Sequence, residues 1–426
     1  MKVLVISHNV FGQSTNMGKT ISAYFDGWNV DDIAQIYVHS GVPTDKICDN
    51  YYRITDKEAI KSIVTRRCGT IYKDYFKNGA LAEEKPNSQI TTSLYQKARA
   101  RTPIIYLSRN LWWGLSAWKS KKLLNWVDEF SPDVVFFASG DYSFTYKIAL
   151  DIAKYKKIPL VVSCMDDYYF YNKNENRFLG KAVYKSFMKC VYKTMKYASC
   201  LFTICDKMTI EYTKLFGRPC YTLHTPTMIS EPMVCGEQKA ISYMGNLGYK
   251  RNEQLVALGR ALKSIDSEVN SKFVDIYSKE SCDEVLRDFT EENGIRFHGG
   301  ISAEQVIDVM RNSMALVHTE SFDESTRKSV AYSVSTKIAD SLASGVCILA
   351  YGPSEVASVK YLRENNAAYC IDENDNLESA LVEFFENSAL RDEITKNAIE
   401  LSKKNHSPSK NCKLIADVLG DVCKNN

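Results

Sequence analysis

The sequence predicts the α/β class, with two doubly wound parallel sheets in two domains. Short apolar runs alternate with helical patterns along almost all of the 426 residues. These runs are dense rather than alternating in polarity, as expected for strands buried on both faces of a parallel sheet. The alternation breaks once, at Thr225–Lys239, which contains Pro226, Pro232 and Gly236, and then restarts. This restart predicts the second domain.

The first half predicts six strands with helices between them. Tyr142–Lys154 and Lys181–Tyr197 have helical periodicity, whereas Thr70–Pro103 is polar, basic and weakly periodic and predicts an insertion. The predicted strands are Val3–Ser7, Ala34–His39, Val134–Ser139, Leu160–Cys164, Leu201–Cys205 and Tyr221–His224.

The second half predicts six more strands and a helical C-terminal part. Ser302 is a plausible cap for a helix at Ala303–Asn312, and Leu377–Lys404 and Cys412–Val422 predict the last helices. Strand–helix alternation on this scale predicts right-handed crossovers, and therefore two Rossmann-like domains facing one cleft. The predicted strands are Ile241–Gly245, Val274–Ser278, Ile295–Gly299, Ala315–Thr319, Val346–Ala350 and Ala368–Ile371.

Composition excludes several classes of protein. The 54 Lys and Arg residues against 51 Asp and Glu residues give a net charge of +3, too weak to indicate a nucleic-acid partner. No apolar run reaches the roughly 18 residues of a membrane-spanning helix. The 13 cysteines include no C-x-x-C pair, so no zinc or redox motif is indicated and a cytoplasmic location is predicted.

A glycine-containing loop, GQSTNMGKT, follows the first strand. It is similar to a phosphate-binding P-loop, but five residues separate Gly12 from Gly18 where that loop has about four. We therefore expect a place at the binding crevice for Gly12, Gly18 and Lys19 rather than a P-loop. The alternative is that Gly18 and Lys19 only open a helix.

A second glycine turn, MGNLGYKR, follows the first strand of the second domain. Gly245 and Gly248 would let backbone N–H groups approach an anion, and the next helix would present its positive end. Lys250 and Arg251 stand where a diphosphate would lie. The turn therefore predicts an anion site.

A third motif, VSTKIADSLASG, begins a helix with a cation in its first turn. Ser335 and Thr336 are plausible caps. Lys337 is disfavoured there by the helix dipole, and a bound phosphate would remove the conflict. The alternative is that Lys337 and Asp340 form a surface ion pair.

Taken together, these segments carry a family resemblance. YMGNLGYKR, FHGGIS, ALVHTESF and STKIADSLASGVCILAYGP occur in the order seen in the donor-binding domain of GT-B glycosyltransferases, and resemble the retaining, family 4-like group. The first half resembles the acceptor domain through its opening strand and loop, SCMDDYY and CDKMTIEYTKLFG. The resemblance implies an acceptor domain at 1–228, a donor domain at 229–405 and a helix at 406–426 that returns to the first domain.

The resemblance also implies a role for each matched residue. Glu320 would lie near the sugar and Asp340 would bind the ribose, but these two carboxylates are twenty residues apart, farther than in the family, and the second is Asp. The diphosphate would face Gly245, Asn246, Gly248, Arg251, Ser335, Thr336 and Lys337, and the nucleobase would meet the backbone of Gly300 and Ile301.

The predicted chemistry needs no metal ion or other cofactor. Departure of a nucleoside diphosphate develops negative charge that Arg251 and Lys337 can stabilise, and the chain contains no D-x-D metal motif. Asp166 and Asp167 follow an apolar strand and are predicted to act as acceptor base or sugar contact, the alternative being a solvated helix cap. His8, His298 and His318 are interpreted as polar residues at the cleft edge.

A basic stripe predicts contact with an anionic membrane surface. Lys181, Lys185, Lys189 and Lys193 recur every four residues, and the aromatic segment Asn110–Trp126 lies upstream. The alternative is a helix that buries its aromatic face and leaves its lysines in solvent.

The resulting prediction is a hexosyltransferase that moves a sugar from a UDP-sugar to a saccharide or lipid-linked saccharide, with retention, in cell-surface polysaccharide synthesis. It would be cytoplasmic or peripheral on the inner face of the cell membrane. Two alternatives stay open: a nucleotide-sugar epimerase of related fold, and a non-catalytic partner subunit that kept the fold.

Overall fold

The protein divides into two compact units. The structure, a computed structural model, describes residues 1–12, 15–77, 103–170, 178–233, 240–265 and 272–425. Unit 1 comprises residues 1–224 together with 408–426, and unit 2 comprises residues 225–407.

Unit 1 is built on an eight-stranded sheet in the order β4-β3-β2-β1-β5-β6-β7-β8. All neighbouring strands are parallel except β3 and β4. The predicted α/β class with parallel sheets is confirmed, although β3 and β4 were not predicted. The strands are β1 (Val3–Ser7), β2 (Ile33–Tyr37), β3 (Asn50–Arg53), β4 (Thr70–Tyr72), β5 (Val134–Ala138), β6 (Leu160–Ser163), β7 (Cys200–Thr203) and β8 (Cys220–Thr222).

Helices follow most strands of unit 1. They are α1 (Asn16–Tyr24), α2 (Asp56–Thr65), α3 (Pro103–Leu115), α4 (Lys121–Phe130), α5 (Ser143–Lys156), α6 (Phe178–Tyr197) and α7 (Asp206–Phe216). The predicted insertion at Thr70–Pro103 begins with strand β4, and its residues 78–102 lie outside the described part of the chain.

The sheet of unit 2 has six parallel strands in the order β11-β10-β9-β12-β13-β14. The first strand, β9, therefore continues to β10 on one side and pairs with β12 on the other. The strands are β9 (Ala240–Met244), β10 (Val274–Tyr277), β11 (Ile295–Gly299), β12 (Ser313–Thr319), β13 (Cys347–Tyr351) and β14 (Tyr369–Ile371).

The helices of unit 2 pack on both sides of its core. They are α8 (Arg251–Ser264), α9 (Asp283–Leu286), α10 (Ala303–Arg311), α11 (Glu324–Val330), α12 (Lys337–Ala343), α13 (Ala357–Glu364), α14 (Leu377–Glu386) and α15 (Ser388–Asn405). The single helix predicted at Leu377–Lys404 is wrong, because Asn387 ends α14 and its side chain caps α15 by accepting a hydrogen bond from the Leu390 N–H.

The last helix, α16 (Pro408–Lys424), belongs to unit 1. Ile415, Val418 and Leu419 are buried in the core of that unit, and the Cys412 thiol contacts the carbonyl of Ala23 in α1. Unit 1 is therefore assembled from both ends of the chain.

Candidate active site

Charged and polar side chains of unit 2 gather at the carboxyl edge of its sheet, where the strand order reverses between β9 and β12. Gly245 follows β9, Glu320 follows β12, and Arg251 and Lys337 begin α8 and α12. Ligands of open α/β sheets bind at such a reversal, outside the carboxyl ends of the strands. Arg251, His318, Glu320 and Lys337 are called the unit 2 edge cluster below.

Arg251 and Glu320 form a bidentate ion pair. Nη2 of Arg251 donates to Oε1 and Oε2 of Glu320 at 2.8 and 2.9 Å, and Nε donates to Oε2 at 3.1 Å and to the Thr319 carbonyl at 3.2 Å. The Glu320 side chain is only 2% exposed, against 17% for Arg251. Burial raises the pKa of Glu320, and the guanidinium opposes that shift. In the structure the Glu320 carboxylate therefore binds Arg251, whereas the family resemblance implied a position near the sugar.

Close packing fixes the Glu320 backbone. Its N–H donates to the Tyr351 carbonyl at 3.2 Å, and a methyl group added to Gly352 would lie 2.9 Å from the Glu320 carbonyl oxygen. Such an approach leaves room only for glycine at position 352. The carboxylate therefore holds the guanidinium at a defined place at the sheet edge.

The ammonium group of Lys337 lies against the backbone of Gly245. A methyl group added to Gly245 would clash with Nζ of Lys337, so only glycine leaves space for it. Among the described residues, this ammonium has no hydrogen-bond or ion-pair partner. Its side chain as a whole is exposed, yet partial desolvation at Nζ and the nearby Arg251 guanidinium lower the pKa of Lys337 to about 8. A cation in such a position favours an anionic ligand.

His318 completes the cluster as a neutral side chain. Burial lowers the pKa of His318 to about 3, with a further contribution from Arg251 and Lys337. Its Nε2 lies 3.0 Å from Oγ of Ser358 and 4.0 Å from Oε1 of Glu320. The cluster therefore contains two cations and one anion at neutral pH, and has a net positive charge.

The backbone amides of the glycine turn are already engaged, contrary to the sequence expectation. The Gly245 N–H donates to the Tyr277 carbonyl at 2.9 Å, and the Gly248 N–H donates to Oδ1 of Asn246 at 2.6 Å. The second bond is an Asx turn, which the residue order Asn-x-Gly allows. Gly245 serves to admit Lys337, and its N–H group does not point at an open anion site.

Of the two predicted caps of α12, Thr336 stands at the cap position and Ser335 does not. Thr336 occupies the cap position without a side-chain hydrogen bond to the helix, and Ser335 precedes it. Asp340 accepts hydrogen bonds at its Oδ1 from Oγ1 of Thr227 and the N–H of Met228, each at 2.8 Å. This carboxylate fixes the first residues of unit 2.

The residues expected to meet a nucleobase lie in the turn after β11. A methyl group added to Gly300 would lie 2.7 Å from Cγ of Lys279, so the turn passes close to the end of β10. Ile301 follows Gly300, and nearby the rings of Tyr277 and His298 stack with centroids 4.7 Å apart. This turn lies at the same edge of the sheet as Gly245, whose N–H donates to the carbonyl of Tyr277 at the end of β10.

Asp166 and Asp167 follow β6 in unit 1 and form a turn. Oδ1 of Asp166 accepts from the Asp167 N–H at 2.9 Å. Oδ1 of Asp167 accepts from the N–H groups of Tyr169 and Phe170 and from Oη of Tyr212, at 3.0, 3.0 and 2.9 Å. These bonds give Asp167 a structural task.

The glycine loop after β1 is closely packed. The Gly12 N–H donates to Oγ of Ser22 at 3.0 Å, and Gly18 donates to Oγ1 of Thr15, the cap of α1, at 3.0 Å. Lys19 lies in the first turn of α1. Both glycine amides therefore have protein partners, as in the alternative in which the motif opens a helix.

A second cluster, which the sequence did not reveal, lies where the strand order of unit 1 reverses between β1 and β5. Nε of Arg109 donates to Oδ1 of Asp56 at 2.9 Å, Nη2 lies 3.3 Å from Nε2 of His8, and the guanidinium carbon lies 3.8 Å from the Tyr142 ring centroid. Nε1 of Trp113 also donates to Oδ1 of Asp56, at 2.7 Å. These five residues are called the unit 1 edge cluster.

Only one local signal pointed to this cluster. Arg109 is the single charged residue in PIIYLSRNLWWGL, and a lone charge in an apolar helix indicates a buried polar contact. Burial lowers the pKa of His8 to about 4, and Arg109 adds to the shift. His8 is therefore neutral, with Nε2 as acceptor.

The predicted basic–aromatic helix is α6. Phe187, Val191 and Met195 are buried in unit 1, and the lysines of the stripe are exposed. The helix thus has the arrangement of the alternative, with its apolar side turned into the protein. Phe187 is buried, whereas Tyr192 and Tyr197 are 40% and 38% exposed, so the helix buries only part of its aromatic residues.

Residues 259–417 match the family model described as Glycosyl transferase-like. No curated protein sequence matches the chain. HepE from Anabaena, solved in complex with UDP, is similar over 99% of this chain and 100% of its own, with a TM-score of 0.63 and 12% identity. Sucrose-phosphate synthase from Thermosynechococcus elongatus covers 100% of both chains, with a TM-score of 0.59 and 10% identity.

WaaG, a glycosyltransferase involved in lipopolysaccharide biosynthesis, is similar over 97% of this chain and 99% of its own, with a TM-score of 0.55 and 13% identity. All three are GT-B glycosyltransferases. The chain has the GT-B fold. The family-model match begins inside α8, so it includes Glu320 and Lys337 of this GT-B chain and leaves out Gly245 and Arg251.

Proposed function

We propose that this GT-B chain is a glycosyltransferase that uses a UDP-sugar donor and binds its diphosphate at the unit 2 edge cluster. The observation that carries the proposal is the Lys337 ammonium, which lies beside Gly245 and near Arg251 and has no carboxylate of the described part of the chain bonded to it. HepE, which has the same fold, was solved with UDP and with UDP-glucose, and this supports the choice of donor.

Two cations, one with a fixed side chain and one with a mobile side chain, would stabilise the leaving group. When the bond between the sugar carbon and the β-phosphate oxygen breaks, its electron pair stays on that oxygen, and positive charge there lowers the barrier. Glu320 fixes Arg251 in advance through Nε and Nη2, so Nη1 remains for the ligand. Lys337 can turn its ammonium to follow the developing charge, because its side chain is exposed.

The acceptor would bind at the unit 1 edge cluster. Aromatic rings, a guanidinium and a carboxylate at the carboxyl edge of a sheet suit the apolar faces and hydroxyl groups of a saccharide. Tyr142, Arg109 and Asp56 provide these groups within one cluster. A saccharide or lipid-linked saccharide of the cell surface, and transfer with retention, belong to this proposal, and WaaG is a relative by fold that acts in lipopolysaccharide biosynthesis.

The proposed reaction does not require a metal ion. Arg251 and Lys337 supply two positive charges at the diphosphate site, which is the task that a divalent cation has in D-x-D enzymes. We expect transfer, or hydrolysis of the donor by water, to proceed at the same rate in excess EDTA. Loss of activity that Mg²⁺ or Mn²⁺ restores would contradict this part of the proposal.

Calorimetry with UDP, followed by product analysis with UDP-glucose, tests the proposal. We expect UDP to bind, UDP-glucose to be slowly hydrolysed, and both to be weakened in Lys337→Met. Lys360→Met is the matched control, since Lys360 is an exposed lysine in the same unit that pairs with Glu364 at 3.6 Å.

Each alternative has its own outcome. A chain that binds no UDP would overturn the donor assignment. A new nucleotide-sugar formed without acceptor would indicate an epimerase, and UDP binding with neither hydrolysis nor transfer would indicate a non-catalytic subunit.

A further inference from the structure

The outer face of α3 in unit 1 is apolar. Leu107, Leu111, Trp112 and Leu115 are all exposed, Leu111 by 60% and Leu115 by 54%. The three leucines recur every four residues, with Trp112 next to Leu111, and so share one side of the helix. Among them there is no charged residue, which is unusual for the solvent side of a helix in a globular protein. These four side chains are called the α3 face.

The charged side chain of α3 faces the protein, while its leucines face solvent. Arg109 faces inward and contacts Asp56 and Tyr142, and Trp113 is buried, stacked on Phe144 with ring centroids 4.0 Å apart. These contacts fix the polar side of α3 against the protein. The helix cannot turn its leucines inward without breaking them, so the α3 face stays exposed.

Positive charge lies on one flank of the α3 face. The helix α6, which packs against α3 through Phe187 and Tyr106, exposes the lysines at 181, 185, 189 and 193. Neither α3 nor α6 contains an acidic residue. On the other side α3 packs against α2, which exposes Ile60 and, at 86%, Val64. The surface is thus apolar at its centre and cationic at its flank.

We propose that the α3 face, with the α6 lysines beside it, binds the surface of an anionic lipid bilayer. Exposed leucines and tryptophan enter the boundary between headgroups and acyl chains, and lysines at the rim attract anionic headgroups. In the described part of the chain no helix has the length and apolar character to cross a bilayer, so the contact is with its surface.

Charge favours lipid over a second copy of the chain. A symmetric dimer through the α3 face would bring the same patch of both copies together, and would set the α6 lysines of one protomer near those of the other. Like charges in such an arrangement repel, whereas phosphatidylglycerol headgroups neutralise them. The inference stands apart from the proposed donor site, since every residue that carries it lies in unit 1.

Vesicle flotation of the full chain tests the inference. We expect the protein to float with vesicles of phosphatidylcholine and phosphatidylglycerol in about equal parts, and to remain unbound with phosphatidylcholine alone. Leu111→Glu should lower the partition coefficient by about tenfold or more, because it places a charge in the apolar contact. Lys185→Glu should weaken binding by about fivefold, since each surface cation adds to the attraction.

Ile210→Glu is the matched control. Ile210 is 54% exposed on α7 of the same unit, so this variant makes the same chemical change away from the α3 face and should float like the wild type. UDP calorimetry on each variant shows that the fold and the donor site are intact. Wild-type protein that ignores anionic vesicles, or Leu111→Glu protein that floats normally, would overturn the inference. A wild-type dimer that Leu111→Glu converts to monomer would assign the face to a second copy instead.

Discussion

Replacing Lys337 by Met tests the donor site most directly. Methionine is unbranched and one atom shorter than lysine, so it removes the charge and disturbs the packing of the aliphatic part little. A hydrogen bond to a charged group contributes about 1.5–3 kcal/mol. The exposed Lys337 side chain places this one in the lower half of that range. We therefore expect a loss of about 2 kcal/mol, or about 30-fold in the Kd for UDP.

Isothermal titration calorimetry at neutral pH measures this change, with Lys360→Met as control. Lys360 is exposed and pairs with Glu364, so its replacement should leave the Kd within about twofold. If Lys337→Met binds UDP within twofold of the wild type, the ammonium does not contact the diphosphate and our interpretation of the unit 2 edge cluster is wrong.

The same lysine gives the binding a pH dependence. The pKa of Lys337 is lowered to about 8 in the free protein, and a bound diphosphate would raise it by favouring the charged form. Affinity should thus fall by up to about tenfold per pH unit above pH 8, where the diphosphate is already fully ionised and the free protein loses its proton. Lys337→Arg should bind without this dependence, because a guanidinium stays protonated. An unchanged slope in that variant would exclude Lys337 as its source.

Three other variants separate binding from folding. Glu320→Gln should lower the free energy of unfolding in urea by about 3 kcal/mol, because Arg251 is left without its buried counter-ion. Adding Arg251→Met should restore part of this loss. If the effects of the two substitutions are additive, the ion pair is contradicted. Gly245→Ala should weaken UDP binding in calorimetry, since the added methyl displaces the Lys337 ammonium, and should also lower the free energy of unfolding, since the methyl would lie 2.9 Å from Oη of the buried Tyr243. Normal affinity would contradict the contact with Lys337. Asp167→Ala should lower the free energy of unfolding by about 2 kcal/mol through three lost hydrogen bonds and leave UDP affinity unchanged, so a stable variant would contradict the structural task.

The strands buried on both faces could be predicted from sequence, and two others could not. β1 (VLVIS) and β5 (VVFFA) are short, continuous apolar runs rich in β-branched and aromatic residues, which is typical of strands buried on both faces. β3 has the sequence NYYR, and its polar ends prevent its recognition as a buried strand. Oδ1 of Asn50 accepts a hydrogen bond from Nε1 of Trp126, 76 residues away, at 2.7 Å. Such a partner is fixed by tertiary packing and leaves no local pattern.

The candidate site shows the same division. The motif order predicted that Arg251, Glu320 and Lys337 serve one site, and the structure brings these three side chains together. It did not predict that Glu320 would be bonded to Arg251, because a pair 69 residues apart depends on how β12 and α8 meet. The unit 1 edge cluster was missed for that reason too, since Arg109 and Asp56 are 53 residues apart.

The return of α16 to unit 1 makes unit 2 an inserted domain. The chain leaves unit 1 after His224 and re-enters it at Pro408, and the side chain of Asn411 donates to the His224 carbonyl at 2.8 Å, so the exit and entry points adjoin. During synthesis on the ribosome, residues 225–407 can fold before the chain is finished. The core of unit 1 is completed only after α16, which contributes Ile415 and Leu419, has been synthesised. A short peptide joining 224 to 408 would excise the insert and yield unit 1 as a minimal protein.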